Sequence, residues 1–383
     1  MANFDDVPGI LTTLRTESDA QLAPLFYSFE DLYGRKLWHQ LTKVVDEFYK
    51  TPLSKPVRIR LYNNFITLFK YKINPLKLVE FLLNSIQELN DADESLVYLN
   101  ALKEELAKKE NIDKEQALLF IEIETARSKL RAGLEAEARE ILDQIDSKLE
   151  RIDSVELKVN QSYFSTNAEY YKSKHDYNNF YYQSLLFLST IQIDELELYE
   201  QQKLAYELSI SALLADKIYN FGELLTHPVL FTLNGTEHSW LIDLLNSLNS
   251  GDLVKFSSLL SNLDKSTILK ESEPFLRQKI CLMTLVELVF VKSIRIISFK
   301  DVSIATKLTI DEVEHLVMKA LSLGLLKGSI DQVLQRITIN WVQPRVVNTA
   351  QIENMKDRLV QWNDNVKALG HFMEENGKEI WVD

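Results

Sequence analysis

Several kinds of residue are scarce in this chain, and each scarcity excludes a class of protein. Glycine occurs 10 times and proline 8 times in 383 residues, well below the average usage of about 7% and 5%. Because strands and tight turns use both residues heavily, the composition predicts a mostly helical protein. The single cysteine, Cys281, cannot form an intramolecular disulfide, and a structural zinc site usually needs several cysteines and histidines. We therefore expect a reducing, intracellular environment.

Positive charge is in deficit as well, with 43 basic against 56 acidic residues and a net charge of −13. Such a chain repels phosphate backbones and anionic lipid surfaces. The longest apolar run, residues 280–291, contains Glu287 and is too short to span a bilayer. Residues 1–10 carry Asp5 and Asp6 where a signal peptide would have basic and then apolar residues. We expect no membrane association and no secretion, and nucleic acid is an unfavoured ligand.

The motifs of common catalytic sites are also missing. No glycine-rich phosphate loop is present, and the histidines show neither the His-Glu-x-x-His nor the His-x-His spacing. Those histidines are His39, His175, His227, His238, His315 and His371. His315 falls on a charged helix, where an exposed histidine is expected rather than a ligand, and Cys281 lies among apolar residues that favour an inert buried thiol. The sequence predicts no catalytic residue, no cofactor and no metal.

The sequence is rich in amphipathic segments. Its length predicts two to three structural units, and residues 19–261 form a succession of helical patterns with short polar breaks. A loose repeat starts at Gly133, His175, Asp216 and Gly251, at intervals of 42, 41 and 35 residues, with mostly apolar residues at +5, +9 and +12. This spacing is typical of two-helix repeats, as in tetratricopeptide-like arrays. An irregular helical domain is the alternative.

The pattern changes after residue 274. An apolar helix is predicted from 275 to about 292, followed by a β-like run over 295–299 and a helix to about Thr306 that Ser298 caps. Thr309 and Glu312 form a capping box for a helix over 310–323, which Gly324 ends. Residues 325–330 and 337–342 then read as two strands around a polar turn at 331–336. Helix, strand, helix, helix and hairpin is the order of a winged helix.

The last segment carries an unbroken coiled-coil seam. Its apolar residues are spaced alternately by three and four positions over three heptads. They are Ile352, Met355, Leu359, Trp362, Val366, Leu369 and Met373. Leaving them in water would forgo roughly 1.5 to 3 kcal/mol each, on the order of 10 kcal/mol in total. We therefore expect another helix, from this chain or a different one, to cover the seam.

A winged helix often binds DNA through its second helix, but the charges oppose this function here. The helix over 310–323 has Asp311, Glu312 and Glu314 against Lys319, whereas a phosphate-binding surface is distinctly basic. An aromatic concentration over 170–187 could stack nucleobases, yet Lys172 and Lys174 are its only nearby cations, so a packed helical hairpin is the favoured interpretation. The remaining features, a helical array, a sheet edge and a seam, all join chains.

A helical array that runs into a winged helix resembles the PCI domain, which proteasome lid, COP9 signalosome and translation initiation factor three scaffold subunits share. Five strings narrow the resemblance to the PCI subunits of the proteasome regulatory particle lid. They are LAYELSISALL at 204–214, IYNFGELL at 218–225, FLRQKICLMTL at 275–285, GSIDQV at 328–333 and WVQPR at 341–345.

This resemblance implies a non-catalytic scaffold in the cytoplasm and nucleus that supports ubiquitin-dependent degradation. Its partners would be other PCI-type lid subunits, with the ubiquitin-receptor subunit nearby. Winged helices of the family pair edge to edge, and their C-terminal helices gather into a bundle that would cover the seam. A translation or signalosome-type PCI scaffold with nucleic-acid contact is the alternative.

The predicted architecture is an all-α array of TPR-like helical hairpins in a superhelix, a winged helix with a small hairpin and a C-terminal bundling helix. The predicted divisions are N-terminal repeats over 1–175, the helical part of the PCI domain over 176–274, the winged helix over 275–346 and the tail over 347–383. Besides the seven seam residues, we predict roles for Ile337, Ile339 and Trp341, either in the winged-helix core or at its neighbour.

Overall fold

The computed structural model describes residues 7–86, 92–108, 114–152, 154–193, 196–291, 296–343 and 349–377. The chain forms two compact units, Met1–Gln192 and Ile193–Asp383. Helices dominate both, and the sheet in the described ranges has three strands. The predicted all-α class with a winged-helix module is confirmed.

The N-terminal unit is helical throughout its described residues. Its α-helices are α1 (Val7–Glu17), α2 (Ala23–Gly34), α3 (Trp38–Lys50), α4 (Arg58–Leu61), α5 (Thr67–Phe69), α6 (Pro75–Ile86), α7 (Ala92–Ala107), α8 (Lys114–Arg131), α9 (Glu135–Leu149), α10 (Leu157–Ser173) and α11 (Tyr177–Thr190). A 3₁₀ segment, Pro52–Val57, stands at the predicted break near residue 52, and a π-helical turn, Tyr62–Ile66, joins α4 to α5. Consecutive helices pack as hairpins, most extensively α10 with α11 and α8 with α9.

The predicted repeat starts explain how several hairpins turn. Gly133, His175 and Gly251 have φ angles of 82°, 56° and 65°, and each separates two helices. A left-handed residue ends one helix and releases the chain for the next, and this favours glycine. Asp216 behaves differently, because the helix before it ends at Leu214 and the next begins only at Gly222. The start at Asp216 therefore lies in a longer connection than the repeat predicts.

Ion pairs between helices support the N-terminal unit around its apolar core. The Glu122 carboxylate on α8 lies 3.1 Å from Lys103 Nζ on α7 and 2.7 Å from Lys148 Nζ on α9. These two lysines lower the pKa of Glu122 against the opposing effect of its partial burial, which is the largest single contribution. Glu80 pairs with Lys77 on its own helix, α6, and with Lys158 on α10. Three or more helices are therefore fixed in register at their polar edges.

The C-terminal unit begins as helices and ends as a winged helix followed by a long helix. Its elements are α12 (Leu198–Leu214), α13 (Gly222–Thr226), α14 (Pro228–Phe231), α15 (Trp240–Ser250), α16 (Leu253–Leu259), α17 (Thr267–Glu271), α18 (Glu273–Val291), β1 (Ile296–Ser298), α19 (Phe299–Thr306), α20 (Ile310–Ser322), β2 (Leu326–Asp331), β3 (Arg336–Val342) and α21 (Thr349–Gly377). The strand order is β1-β3-β2, with both pairings antiparallel.

The predicted caps of the winged helix are confirmed in detail. The Ser298 side chain accepts a hydrogen bond from the Asp301 backbone N–H and so begins α19. Thr309 and Glu312 form the capping box of α20, and Gly324 follows this helix with φ at 71°. The first strand is Ile296–Ser298, while residue 295 of the predicted run lies outside the described residues. Local sequence rules therefore place these helix ends correctly.

The core of the winged helix includes one residue, Tyr219, from outside the predicted module of 275–346. Leu282, Leu285 and Val286 of α18 pack with Val313 of α20, and Tyr219, from the connection after α12, belongs to the same apolar cluster. The division that we predict at 274–275 falls inside α18. As a functional subdivision of the chain it stays a prediction, but α18 and Tyr219 physically join its two sides.

Candidate partner-binding surfaces

The seam of α21 is exposed along its whole length. The seven predicted residues are between 47% and 66% exposed, and every described side chain from residue 352 to 376 is exposed. Isolated apolar surface residues are common, but a contiguous exposed stripe marks an interaction site. The helix therefore presents the complete seam to solvent, while its binding role stays a prediction.

The seam spacing missed two further apolar residues of α21. Val360 and Phe372 are also exposed, at positions next to Leu359 and Met373 that lie outside the alternation of three and four. The helix has an acidic side opposite the seam, where Glu353, Asp357, Asp364 and Glu375 recur at helical spacing. On this side, His371 Nε2 lies 3.4 Å from the Glu375 carboxylate. An apolar side and an acidic side favour one-sided covering.

The three predicted residues of β3 have different positions. Ile337 and Ile339 are buried in the winged-helix core, which is the first of the two predicted alternatives, and burial leaves them no side-chain surface for a neighbour. Trp341 is 41% exposed, and Lys327 Nζ of β2 lies 4.9 Å from the centre of its ring. This cation–π pair between directly opposed residues holds the indole on the sheet surface.

Strand β2 forms a free edge of the sheet, and a glycine in β2 allows its other side to pair closely with β3. β2 pairs only with β3 among the described strands, so its outer edge has no strand partner there. A bulge interrupts the register between Lys327 and Gly328, and a Cβ at Gly328 would lie 2.1 Å from the Thr338 carbonyl oxygen. Only glycine fits this close backbone approach.

The tip of the hairpin is less polar than the sequence suggests. Val333 and Leu334, in the turn that we predict as polar, are 93% and 59% exposed. Leu334 N–H donates to an Asp331 carboxylate oxygen and fixes the turn. Two adjacent apolar residues inside an otherwise polar connection are the sequence signal that could have identified this surface.

A buried lysine joins α18 to the end of α12. Lys279 is 1% exposed, and its Nζ donates to the carbonyl oxygens of Ala212, Leu213 and Ala215 at 2.8, 3.1 and 2.8 Å. A helix leaves its last carbonyls without partners, and a cation there also interacts favourably with the negative end of the helix dipole. The rings of Tyr219, Phe221 and Phe275 surround the ammonium group at 5.2 to 5.6 Å.

The surroundings of Lys279 act on its pKa in opposite directions. Burial lowers the pKa to about 7, and the charge of Asp216 raises it. Three carbonyl acceptors match the three N–H donors of an ammonium group, whereas a neutral amine has only two. The contacts are thus those of a helix cap, and sequence reasoning missed them because the carbonyls lie more than 60 positions away.

The sequence singles out a histidine, the cysteine and an aromatic concentration for possible chemistry. His315 is exposed on α20, as expected. Cys281 is partly rather than fully buried, and burial raises the pKa of its thiol, which favours the unreactive form. In the aromatic concentration, Phe180 and Tyr181 are buried in the α10–α11 hairpin, consistent with packing. Within the described ranges no group of three or more His, Cys, Asp or Glu residues could hold a metal ion.

The apolar run over residues 280–291 is predicted to be too short to span a bilayer. Among the described helices, none combines the length and the apolarity that a bilayer crossing requires.

Three protein-family models match the chain, in an order that follows the elements described above. The model of PSD13 N-terminal repeats matches residues 25–245, the PCI domain matches residues 259–341, and the Rpn9 C-terminal helix matches residues 345–377. The last match spans the described part of α21, and the PCI match ends within β3.

Similar proteins carry consistent names. The chain is 51% identical to 26S proteasome regulatory subunit RPN9 of Saccharomyces cerevisiae over 100% of both chains. It is 42% identical to probable 26S proteasome regulatory subunit rpn9 of Schizosaccharomyces pombe over 96% of both. Eukaryotic translation initiation factor 3 subunit M of Nematostella vectensis is 28% identical over 34% of each chain.

Proposed function

Because the chain belongs to the RPN9 family of 26S proteasome regulatory subunits, we propose that it is a non-catalytic scaffold subunit of the regulatory particle lid. The five strings from 204 to 345 resemble this member of the PCI proteins, the ninth non-ATPase subunit in fungi and non-ATPase regulatory subunit thirteen in animals, and that prediction is confirmed. Its function is to join neighbouring subunits and so support ubiquitin-dependent protein degradation.

The exposed seam of α21 is the observation that carries this proposal. Seven apolar side chains in a continuous stripe remain in solvent, and covering them would recover on the order of 10 kcal/mol. In the lid, this helix enters a bundle with the C-terminal helices of other subunits. The seam supplies binding free energy there, and its acidic outer side keeps the covering one-sided.

The winged helix provides a second joining surface. Its β2 edge lacks a strand partner among the described strands, and backbone groups on such an edge can pair with a neighbouring strand. Trp341 extends the contact as an exposed aromatic anchor. Ile337 and Ile339 contribute indirectly, because they hold β3 in the core.

The remaining parts of the proposal follow from membership of the lid. The partners are other PCI-type lid subunits, the ubiquitin-receptor subunit lies nearby, and the complex works in the cytoplasm and nucleus. No catalytic role is assigned to this chain. The translation-type alternative is not favoured, since the relatives that match essentially the whole chain are proteasome subunits and the chain is strongly acidic.

Truncation after Val347 tests the proposal. Cells carry the truncated chain as their only copy, and the regulatory particle is captured through a tag on a different subunit. We expect the truncated chain to be absent from the captured particle, because the seam has been removed. Full-length chain in parallel cells is the control, and a folded, soluble truncated chain excludes misfolding as the cause. Undiminished capture of the truncated chain would reject the bundle role.

A further inference from the structure

We propose that the helix covering α21 carries carboxylates beside Lys356 and Arg358, and that its backbone approaches α21 most closely at Gly370. This inference rests on the proposed function, because it assigns the chemistry of the partner that covers the seam. It differs from that function in predicting a direction along the helix: a charged contact near one end and a close apolar contact near the other.

The flanks of the seam change character along α21. Flanking positions are those that follow Met355, Trp362 and Leu369, or precede Leu359, Val366 and Met373. In the first heptad they hold Lys356 and Arg358, and in the second they hold asparagines. In the third they hold Gly370 and Phe372. Because flanking charges set partner choice and orientation in helical bundles, this gradient distinguishes the two ends of the seam.

The two basic flanks are available to a partner. Lys356 and Arg358 are both exposed, and no ion pair of either is found among the described residues. Two cations on either side of an apolar strip attract a helix whose own flanks are acidic. Local pairing within α21 does not neutralise them first.

No contact among the described residues depends on the missing side chain of Gly370. It lies inside α21, well before the end of the helix at Gly377, and a Cβ built there would meet nothing within 4 Å. Glycine is a poor helix former, so an interior glycine weakens the helix unless something uses the missing side chain. Its place beside the seam residue Leu369 gives that use, since absent side chains let two helices approach closely.

A second copy of this chain does not satisfy these requirements. No flanking position of the three heptads carries a carboxylate, and the acidic residues of α21 lie on its outer side. Two copies paired through the seam would therefore bring the basic flanks against neutral or apolar ones. The occupant is a different helix with acidic flanks.

The charge half is tested by titrating labelled full-length chain against a regulatory particle prepared without this subunit. We expect the double change Lys356→Glu with Arg358→Glu to weaken binding about tenfold or more. Lys367→Glu, which changes charge away from the flanks, should leave the affinity unchanged. Lys356→Gln with Arg358→Gln should also flatten the decrease of affinity with added salt. Equal affinity for the double glutamate variant and the wild type would overturn this half.

The close approach of the partner helix at Gly370 is tested with one variant and two measurements. In the free chain, Gly370→Ala should slow amide hydrogen exchange in α21, because alanine strengthens the helix. In the titration the same variant should bind about tenfold more weakly, because its methyl group separates the two backbones. Asp364→Ala on the outer side strengthens the helix without adding bulk at the flank, and it should bind like the wild type. Unchanged or tighter binding of the Gly370 variant would overturn the close approach.

These outcomes are separate from the test of the proposed function. If the chain truncated after Val347 binds the particle like the full-length chain, α21 is not the binding element and the proposed function fails. If the truncation abolishes binding while the flank variants bind normally, the scaffold role holds and only the partner chemistry assigned here is wrong.

Discussion

Helices α18 and α21 are the two longest helices described in the C-terminal unit, with 19 and 29 residues, and they use apolar side chains in opposite ways. Most apolar residues of α18 from Leu276 to Val286 are buried, whereas every described side chain of α21 up to residue 376 is exposed. The sequences differ accordingly: α18 is apolar on several sides, and α21 has a narrow seam with a polar remainder. A helix that is apolar on several sides belongs in a core, and a seam needs one cover.

Matched leucine truncations should show this difference most strongly. Leu285 in α18 is fully buried, so Leu285→Ala should lower the free energy of unfolding by about 4 kcal/mol through lost packing and a cavity. Leu359→Ala in α21 should change it by less than about 0.5 kcal/mol, because the side chain is already in solvent. Urea unfolding of the full-length chains measures both. Similar losses for the two variants would mean that α21 is covered in the free chain.

Replacing Lys279 should have the next largest effect on the free energy of unfolding. This cation of α18 is buried, whereas those of α21 are exposed. Lys279→Met keeps much of the volume but leaves three buried carbonyls of the α12 end without a donor. We expect a loss of about 3 kcal/mol in the free energy of unfolding. Lys367→Met on the exposed helix is the control, with almost no change expected. A Lys279→Met chain as stable as the wild type would show that the cap contributes nothing net.

Two glycines allow a backbone that packs closely against α18 to be compared with one that has open space around it. A Cβ at Gly251 would lie 2.8 Å from the Thr284 Cα of α18, whereas a Cβ at Gly235 meets nothing, although both residues have positive φ. Gly235→Ala should cost about 1 kcal/mol from backbone strain alone. Gly251→Ala should cost about 2 kcal/mol more, because α18 must also shift. The difference between their thermal midpoints is the measurement, and equal midpoints would contradict the close packing.

The smallest expected effect is at the capping box of α20. Thr309→Ala removes the side-chain half of the box and should lower the free energy of unfolding by about 1 kcal/mol. Thr12→Ala, on an exposed position of α1, is a control for loss of a threonine hydroxyl. Chemical denaturation of both variants would show whether the cap is as strong as its geometry indicates.

The sequence reveals those features that depend on neighbouring residues. Ser298, the Thr309–Glu312 pair and Gly324 mark helix ends through contacts within a few positions, so local rules identified them. The seam of α21 is visible for the same reason, because its period is local. Whether a cover exists within the chain is a tertiary question, and only the exposure of the side chains answers it.

Features that depend on distant residues escaped prediction. Lys279 looks like a polar interruption of an apolar helix, and its meaning depends on carbonyls of α12. Gly328 is needed because Thr338 on the paired strand lies so close to it. Asp216 matches the repeat spacing, but it lies in a longer connection, which also places Tyr219 in the winged-helix core.

The ammonium group of Lys279 has a practical consequence for anyone who dissects this protein. An expression fragment that starts at the natural-looking junction near residue 275 would retain the lysine but lose Tyr219 and the end of α12. Its ammonium group would lose the three carbonyl acceptors, and the apolar surface of α18 that α12 and Tyr219 cover would face water. A fragment that begins before Leu198 is longer, but it keeps both partners of the lysine.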